Sequence, residues 1–566
     1  MNNPPSTLPN KATDMMEWSW SDYAGLYEEL SGRPLSAATV ESFLADWTRL
    51  HDRADEVGSR LSVAKDANTA DVDAEARFNR YVENIFPKMQ EAEQKLKAKL
   101  LASNLKPAGF ELPRRKMETE AAIYRDVNLP LLVKQQKLCT EYSKTVGKQT
   151  VEWEGKEVTV TQLRPVYFET DRSRREAAWR LASQRQLADR KTINDLWRQL
   201  LALRLDVARN AGFGDYRSYR WQDMLRFDYT PENCRQFQRA IETAVVPAAS
   251  RIYGQRRKRL GVDKLRPWDL DVDPLGRPPL KPFTTIDQFK TGVHSMLTRV
   301  DAGLGGYFKT MMDEQLLDLD NRKNKAPGGY CTSFEAAKRP FIFMNAVGLH
   351  GDVMTLVHEG GHAVHSFEAD RLPWFQQRQV GLEFAEVASM GMELLAAPYF
   401  GHDTGGFYSA ADAARAYADN LERNILFWPY MAVVDSFQHW AYENPAEAME
   451  PQNCDRKWAE LTRRFMPGID WTGFEDVLAT GWHRKLHIHQ VPLYYVEYGL
   501  AQLGACQVWA NALKDQAAAV AAYKRALALG GTKSLPELFA AAGARFAFDA
   551  ASLQSVVSLM ETKLEK

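Results

Sequence analysis

Asp352-Val353-Met354-Thr355-Leu356-Val357-His358-Glu359-Gly360-Gly361-His362-Ala363-Val364-His365-Ser366 is the stretch on which the reading of this chain turns. Its centre has the form HExxH. Residues four apart share one face of a helix, so His358 and His362 can reach one metal ion together. Glu359 sits one step round the helix, beside such an ion rather than on it, where a general base for an activated water belongs. Asp352 can cap the helix start, and Val353, Leu356, Val357, Gly360 and Val364 follow at helical spacing. Met354 and Ala363 fill other faces, which predicts a helix buried nearly all round. A buried histidine pair needs a shared partner, and a metal supplies one. Gly360 and Gly361 each weaken a helix by roughly 1 kcal/mol relative to alanine. Close approach of another backbone near the metal is the expected reason for them.

Histidine placement extends the site. Of the 11 histidines, seven fall in two windows: His350, His358, His362 and His365, then His483, His487 and His489. A catalytic zinc takes three protein ligands, so a third is required. The metzincin pattern would need glycine at 365 and histidine at 368, but the chain has His365 and Glu368. A second predicted helix, running from Gly381 to Glu393, carries Glu383, Glu386 and Glu393 on roughly one face. Phe384, Val387, Met390 and Met392 make it largely apolar, and a carboxylate on a buried helix needs a partner. Spacing alone does not choose among the three.

The run Asp352–Ser366, followed by Phe384–Met390 (FAEVASM), resembles the thimet oligopeptidase and oligoendopeptidase F family of zinc metallopeptidases. The resemblance puts the glutamate ligand on Glu386, with His358 and His362 as the other ligands of one zinc ion. Glu393 then resembles a carboxylate that orients a ligand histidine. It implies a mainly α, zincin-type fold, a small β-sheet beside the active site and a deep substrate channel between two helical halves.

Trp482–Tyr498 supplies a second candidate wall. Peptide hydrolysis develops an oxyanion that needs hydrogen-bond donors, and tyrosine hydroxyls and an imidazole can serve. Pro492 suits the first turn of a helix, which would place Tyr494, Tyr495 and Tyr498 on one face. The window resembles the family's histidine-then-tyrosines segment. That assigns transition-state roles to His487, Tyr494 and Tyr498, with His489 and Tyr495 as the neighbouring register. Pro340–Asn345 (PFIFMN) reads as a short buried strand. In peptidases of this kind such an edge pairs with the substrate backbone.

The remaining features set bounds. The 566 residues are 45% hydrophobic with a net charge of −1, ample for a large core and without the charge bias of a nucleic-acid or anionic-membrane partner. Five scattered cysteines (Cys139, Cys234, Cys331, Cys454, Cys506) lack paired spacing and read as reduced thiols. The stretch MNNPPSTLPNKATDMMEW has no signal-peptide pattern and no run is long enough to span a membrane, so a cytoplasmic address is expected.

Three regions are expected: an N-terminal helical region (1–145), a helical linker region with a hairpin (146–265) and a zinc catalytic region (266–566). Thr150–Val160 alternates around Glu154-Gly155, as a hairpin does. Pro267 to Pro282 reads as a loop, and Gly530-Gly531 as a helix break. The expected activity is hydrolysis of internal bonds in short peptides by a zinc-activated water. The alternatives are a dipeptidyl- or metallocarboxypeptidase of similar fold, or a non-catalytic peptide-binding scaffold.

Overall fold

Helices take up most of residues 7–565, the residues described by the computed structural model. Five short strands accompany them among the described residues: β1 (Thr150–Trp153), β2 (Lys156–Thr159), β3 (Leu317–Asp320), β4 (Tyr330–Phe334) and β5 (Arg339–Ala346). The chain forms two compact units, each built from stretches distant in sequence. The first takes the chain up to Ala121, Lys281–Tyr417 and Gly504–Phe546. The second takes Ala122–Leu280, Ala418–Leu503 and the residues from Ala547 on. No helix among the described residues is long and apolar enough to cross a membrane.

In the first unit, the charged N-terminal helices pack through an apolar stripe that includes Phe43, Leu44, Trp47, Leu61, Leu96 and Leu100. Glu93 is buried among them, and its cost is met chiefly by two short hydrogen bonds, with His51 Nδ1 a third neighbour at 3.4 Å. Trp47 Nε1 donates to its Oε2 at 2.6 Å, and the Tyr27 hydroxyl to its Oε1 at 3.0 Å.

The sheet of this unit has the order β3-β5-β4. The expected strand at Pro340–Asn345 is β5, with Phe341, Ile342, Phe343 and Met344 all buried. It is the central strand rather than an edge. β3 pairs with it in parallel and β4 antiparallel, so both of its hydrogen-bonding sides are taken. The edge on the side of β4 belongs to β4.

Helix His350–Ala369 carries the HExxH motif and packs on β5, β4 and the helix Leu382–Ala396. Gly361 explains the closeness of the two helices. A Cβ there would lie 2.5 Å from the Ala388 carbonyl oxygen and 2.6 Å from Ser389 Cα, both backbone atoms. Gly360 has no such neighbour, since a Cβ would meet only Leu297 Cδ1 at 3.9 Å. The close approach expected of the glycine pair is therefore the work of Gly361. The far side of Leu382–Ala396 is held by the Gly504–Phe546 stretch. The buried Tyr523 hydroxyl donates to the Ala388 carbonyl at 2.6 Å, and Gly504 admits Phe539 and Val387. The break at Gly530-Gly531 is present: Gly530 has φ +49, and the Gly531 N–H donates to the Gln377 carbonyl at 2.6 Å.

In the second unit, β1 and β2 form the expected hairpin, Val151 facing Val158. Glu154 and Gly155 both take positive φ (+52 and +74), as the tightest hairpin turn requires. Residues 267–282 are irregular apart from one short turn of helix. None of the five cysteines is in a disulfide.

Candidate metal centre and active site

The motif helix begins differently from its expected form. Leu349 is the capping residue and Asp352 lies one turn in. Its Oδ2 accepts from the backbone N–H groups of Val347, Gly348 and Leu349 at 2.8, 2.8 and 2.9 Å. Asp352 therefore gathers the chain just ahead of the helix, and its negative charge sits at the positive helix end.

Of the three carboxylates that spacing left open, Glu386 is the one with an oxygen near the Nε2 atoms of both histidines. Its Oε2 lies 3.5 Å from His358 Nε2 and 3.7 Å from His362 Nε2. One ligand atom from each residue falls within 4.8 Å of the others. These separations are too long for hydrogen bonds and suit three Lewis bases converging on a shared point. Ser389, one turn along, donates its Oγ to Glu386 Oε2 at 2.8 Å and fixes the carboxylate. The i, i+3 spacing of Glu386 and Ser389 was visible in the sequence, although the serine's part was not foreseen. Glu393 Oε1 lies 2.7 Å from His358 Nδ1, which makes Nδ1 the donor, so that once the ring is neutral the lone pair lies on Nε2. Glu383 is buried elsewhere on the helix, in the field of Lys116.

Glu359 is 9% exposed and accepts a hydrogen bond from the Cys331 backbone N–H on β4. Burial raises its proton affinity, the charge of His358 lowers it and that of Glu386 raises it, with a net upward shift. Burial likewise pushes Glu386 upward. The two histidines diverge. Burial depresses His358, but the hydrogen bond and charge of Glu393, with Glu386 and Glu359, outweigh it and bring the imidazole to about 9. Burial, then the charges of His358 and His365, push His362 down to about 3. Two imidazole nitrogens and one carboxylate oxygen, backed by Glu393 and Ser389, form a donor set suited to zinc.

The positions that a metzincin would use serve packing. His365 is buried and pushed down to about 4 by burial. Glu368 accepts from the Tyr307 hydroxyl at 3.0 Å and pairs with Arg371.

The family profile described as Peptidase family M3 matches residues 168–558. This chain belongs to Peptidase family M3. Among its curated relatives, an oligoendopeptidase F homolog of Mycoplasma pneumoniae is 34% identical over 137 residues, 24% of this chain and 22% of that protein. Oligopeptidase PepF of Bacillus subtilis is 24% identical over 277 residues, 48% of this chain and 39% of that protein. The chain thus spans well under half the length of these two relatives. Among solved structures, that of PZ peptidase A with an inhibitor is 26% identical, covering 99% of this chain and 98% of that one, with a TM-score of 0.86. The M3 profile includes both histidine windows.

In the second unit, His487, Tyr494 and Tyr498 come together as partly exposed side chains. The His487 ring centroid lies 5.8 Å from that of Tyr494 and 5.9 Å from that of Tyr498. Tyr495 packs against both His487 and Tyr498 and is buried, its hydroxyl accepting from Lys485 Nζ at 2.7 Å. His489 is fully buried, stacked on Tyr142 and Trp482. Exposure thus separates His487 from His489 and Tyr494 from Tyr495.

Pro492 does not open a helix as expected. The helix starts at Val496, because Leu493 takes φ +63. That turn is locked from both sides. The Leu493 N–H donates to Gln438 Oε1 at 2.7 Å, and its carbonyl accepts from Arg226 at 2.7 Å.

Proposed function

We propose that this M3 chain is a zinc metallo-oligopeptidase that hydrolyses internal bonds of short peptides. The convergence of His358, His362 and Glu386 within 4.8 Å, with Glu359 beside them, carries the reading. The three residues would hold one zinc ion. Zinc, when bound, supplies Lewis acidity that makes water a nucleophile near neutral pH and polarises a carbonyl.

The chain's own groups do the rest. Glu359 accepts a proton from the attacking water and returns it to the leaving nitrogen. Its raised proton affinity suits that exchange, and the Cys331 N–H holds its carboxylate in place. Glu393 holds His358 in the tautomer that presents Nε2. Glu393→Gln is expected to weaken zinc affinity about 10–100-fold, read by competition with a chelator. His487, Tyr494 and Tyr498 are assigned the oxyanion-stabilising role by family resemblance. Their partial exposure and mutual packing support it. β4 is the strand to which a substrate backbone adds, since β5 has both sides paired. Preference for short peptides over folded proteins follows from the family resemblance.

Product mapping by mass spectrometry tests the reading, using zinc-loaded enzyme and a mixture of end-blocked and free short peptides. Internal cuts in blocked peptides support it. Trimming only at free C-termini would assign a carboxypeptidase, and no zinc-dependent cleavage a binding scaffold. In the same assay Tyr498→Phe should lower kcat by about 10²–10³ with KM little changed.

A further inference from the structure

We propose that Cys234, Asp435 and His439 form a second metal centre, independent of the HExxH group and built for a divalent ion of the zinc class. Asp435 and His439 are four residues apart on the helix Ala410–Glu443 and so share a face. Cys234 comes from the helix Pro231–Ala244. One ligand atom from each lies within 4.8 Å of the others, and the residues are 0%, 1% and 3% exposed (Cys234, Asp435, His439).

Two of the three donor atoms lack a hydrogen-bond partner. Asp435 Oδ1 and His439 Nε2 are enclosed by protein and make no hydrogen bond. They lie 3.6 Å apart, beyond hydrogen-bond length. Two ligands on a tetrahedral ion with bonds of about 2.0–2.2 Å are separated by about 3.3–3.6 Å. The carboxylate is aimed by its other oxygen: Gln238, one turn after Cys234, donates Nε2 to Asp435 Oδ2 at 2.7 Å. The arrangement repeats the logic of the first site, where the corresponding separations are 3.5 and 3.7 Å.

The surrounding charge bears on the ion's valence. Arg217, Arg226 and Arg235 act on His439. Arg217 Nη1 lies 3.4 Å from His439 Nδ1, at the long limit of a hydrogen bond, and an ion on Nε2 would put the ring proton on Nδ1 and leave that guanidinium to Glu443. Arg217 and Arg235 pair with Glu443, and Arg226 with Glu497. With Asp435 ionised, three guanidinium groups face three carboxylates. A divalent ion entering as the Cys234 S–H proton leaves to solvent adds one net positive charge. The thiolate, carboxylate and neutral imidazole would supply three of the four positions of a tetrahedral ion.

Burial this complete means loading accompanies folding, so cobalt is supplied in the growth medium as the probe. Full-length wild type, His358→Ala and Cys234→Ser are purified. Cobalt per chain is measured by mass spectrometry, and thiolate-to-cobalt charge transfer by absorption. The HExxH group has no sulfur donor, so the band reports only on a thiolate site. We expect two ions per chain in wild type. His358→Ala should keep one ion with the band, and Cys234→Ser one ion without it. Absence of the band in wild type would overturn the proposal whatever the metal count, making the three residues a buried polar cluster without an ion. A band that survives Cys234→Ser would overturn it too, by placing the sulfur elsewhere. If Cys234→Ser does not fold, the band in wild type and His358→Ala decides the question.

Discussion

Glu359→Gln is expected to lower kcat by about 10²–10⁴ while the zinc content stays at that of the wild type. Glutamine keeps the shape of the side chain, and its Oε1 can still accept from the Cys331 N–H, so β4 and the motif helix remain in register. What it cannot do is take up a proton. The three donors that converge, His358, His362 and Glu386, do not include Glu359, so metal retention is expected. Burial holds the Glu359 carboxyl above its ordinary range, which makes it a better proton acceptor than an exposed glutamate. Steady-state kinetics alongside metal analysis check the result. Full turnover in this variant would exclude Glu359 as the base, and loss of zinc would make it a ligand.

The second large effect is at Glu386. Glu386→Ala should strip zinc from the protein on dialysis and reduce peptide cleavage to background. Removing a residue that only supports a ligand costs 10–100-fold in affinity, and removing a ligand should cost more. The comparison that gives this force is Glu383→Gln, on the same helix and equally buried, which should keep its zinc. Retention of metal by Glu386→Ala with loss from Glu383→Gln would reverse the assignment.

Local chemistry was legible in the sequence, and tertiary choice was not. The HExxH helix, the Glu154-Gly155 hairpin turn and the Gly530-Gly531 break each depend on a few consecutive residues, and each formed as expected. The third metal-site residue was different. Glu383, Glu386 and Glu393 share a face, and only the packing of Leu382–Ala396 on the motif helix distinguishes them. The family resemblance points to Glu386, the residue whose carboxylate lies beside both histidines.

The strand at Pro340–Asn345 was recognised from its apolar run, but its central position depends on pairing with β3 and β4, whose sequences (LDLD and YCTSF) are short and weakly patterned. Pro492 misled because proline's preference for a first helical turn is worth little against a turn held by Gln438 and Arg226. The sequence leaves His487 and His489 alike, two residues apart with the same chemistry, and only burial tells them apart: His487 is partly exposed and His489 is enclosed.

Tyr523 bears on the order in which the metal-site residues become fixed during synthesis. Its hydroxyl bonds the Ala388 carbonyl on the helix that supplies Glu386, and Gly504 opens the stretch that covers that helix. During synthesis His358, His362 and Glu386 all emerge well before this cover does. The helix that completes the trio therefore lacks its outer support until more than a hundred further residues have been translated. A nascent chain on the ribosome should hold the three residues only loosely until the Gly504–Phe546 stretch has emerged and packed on that helix.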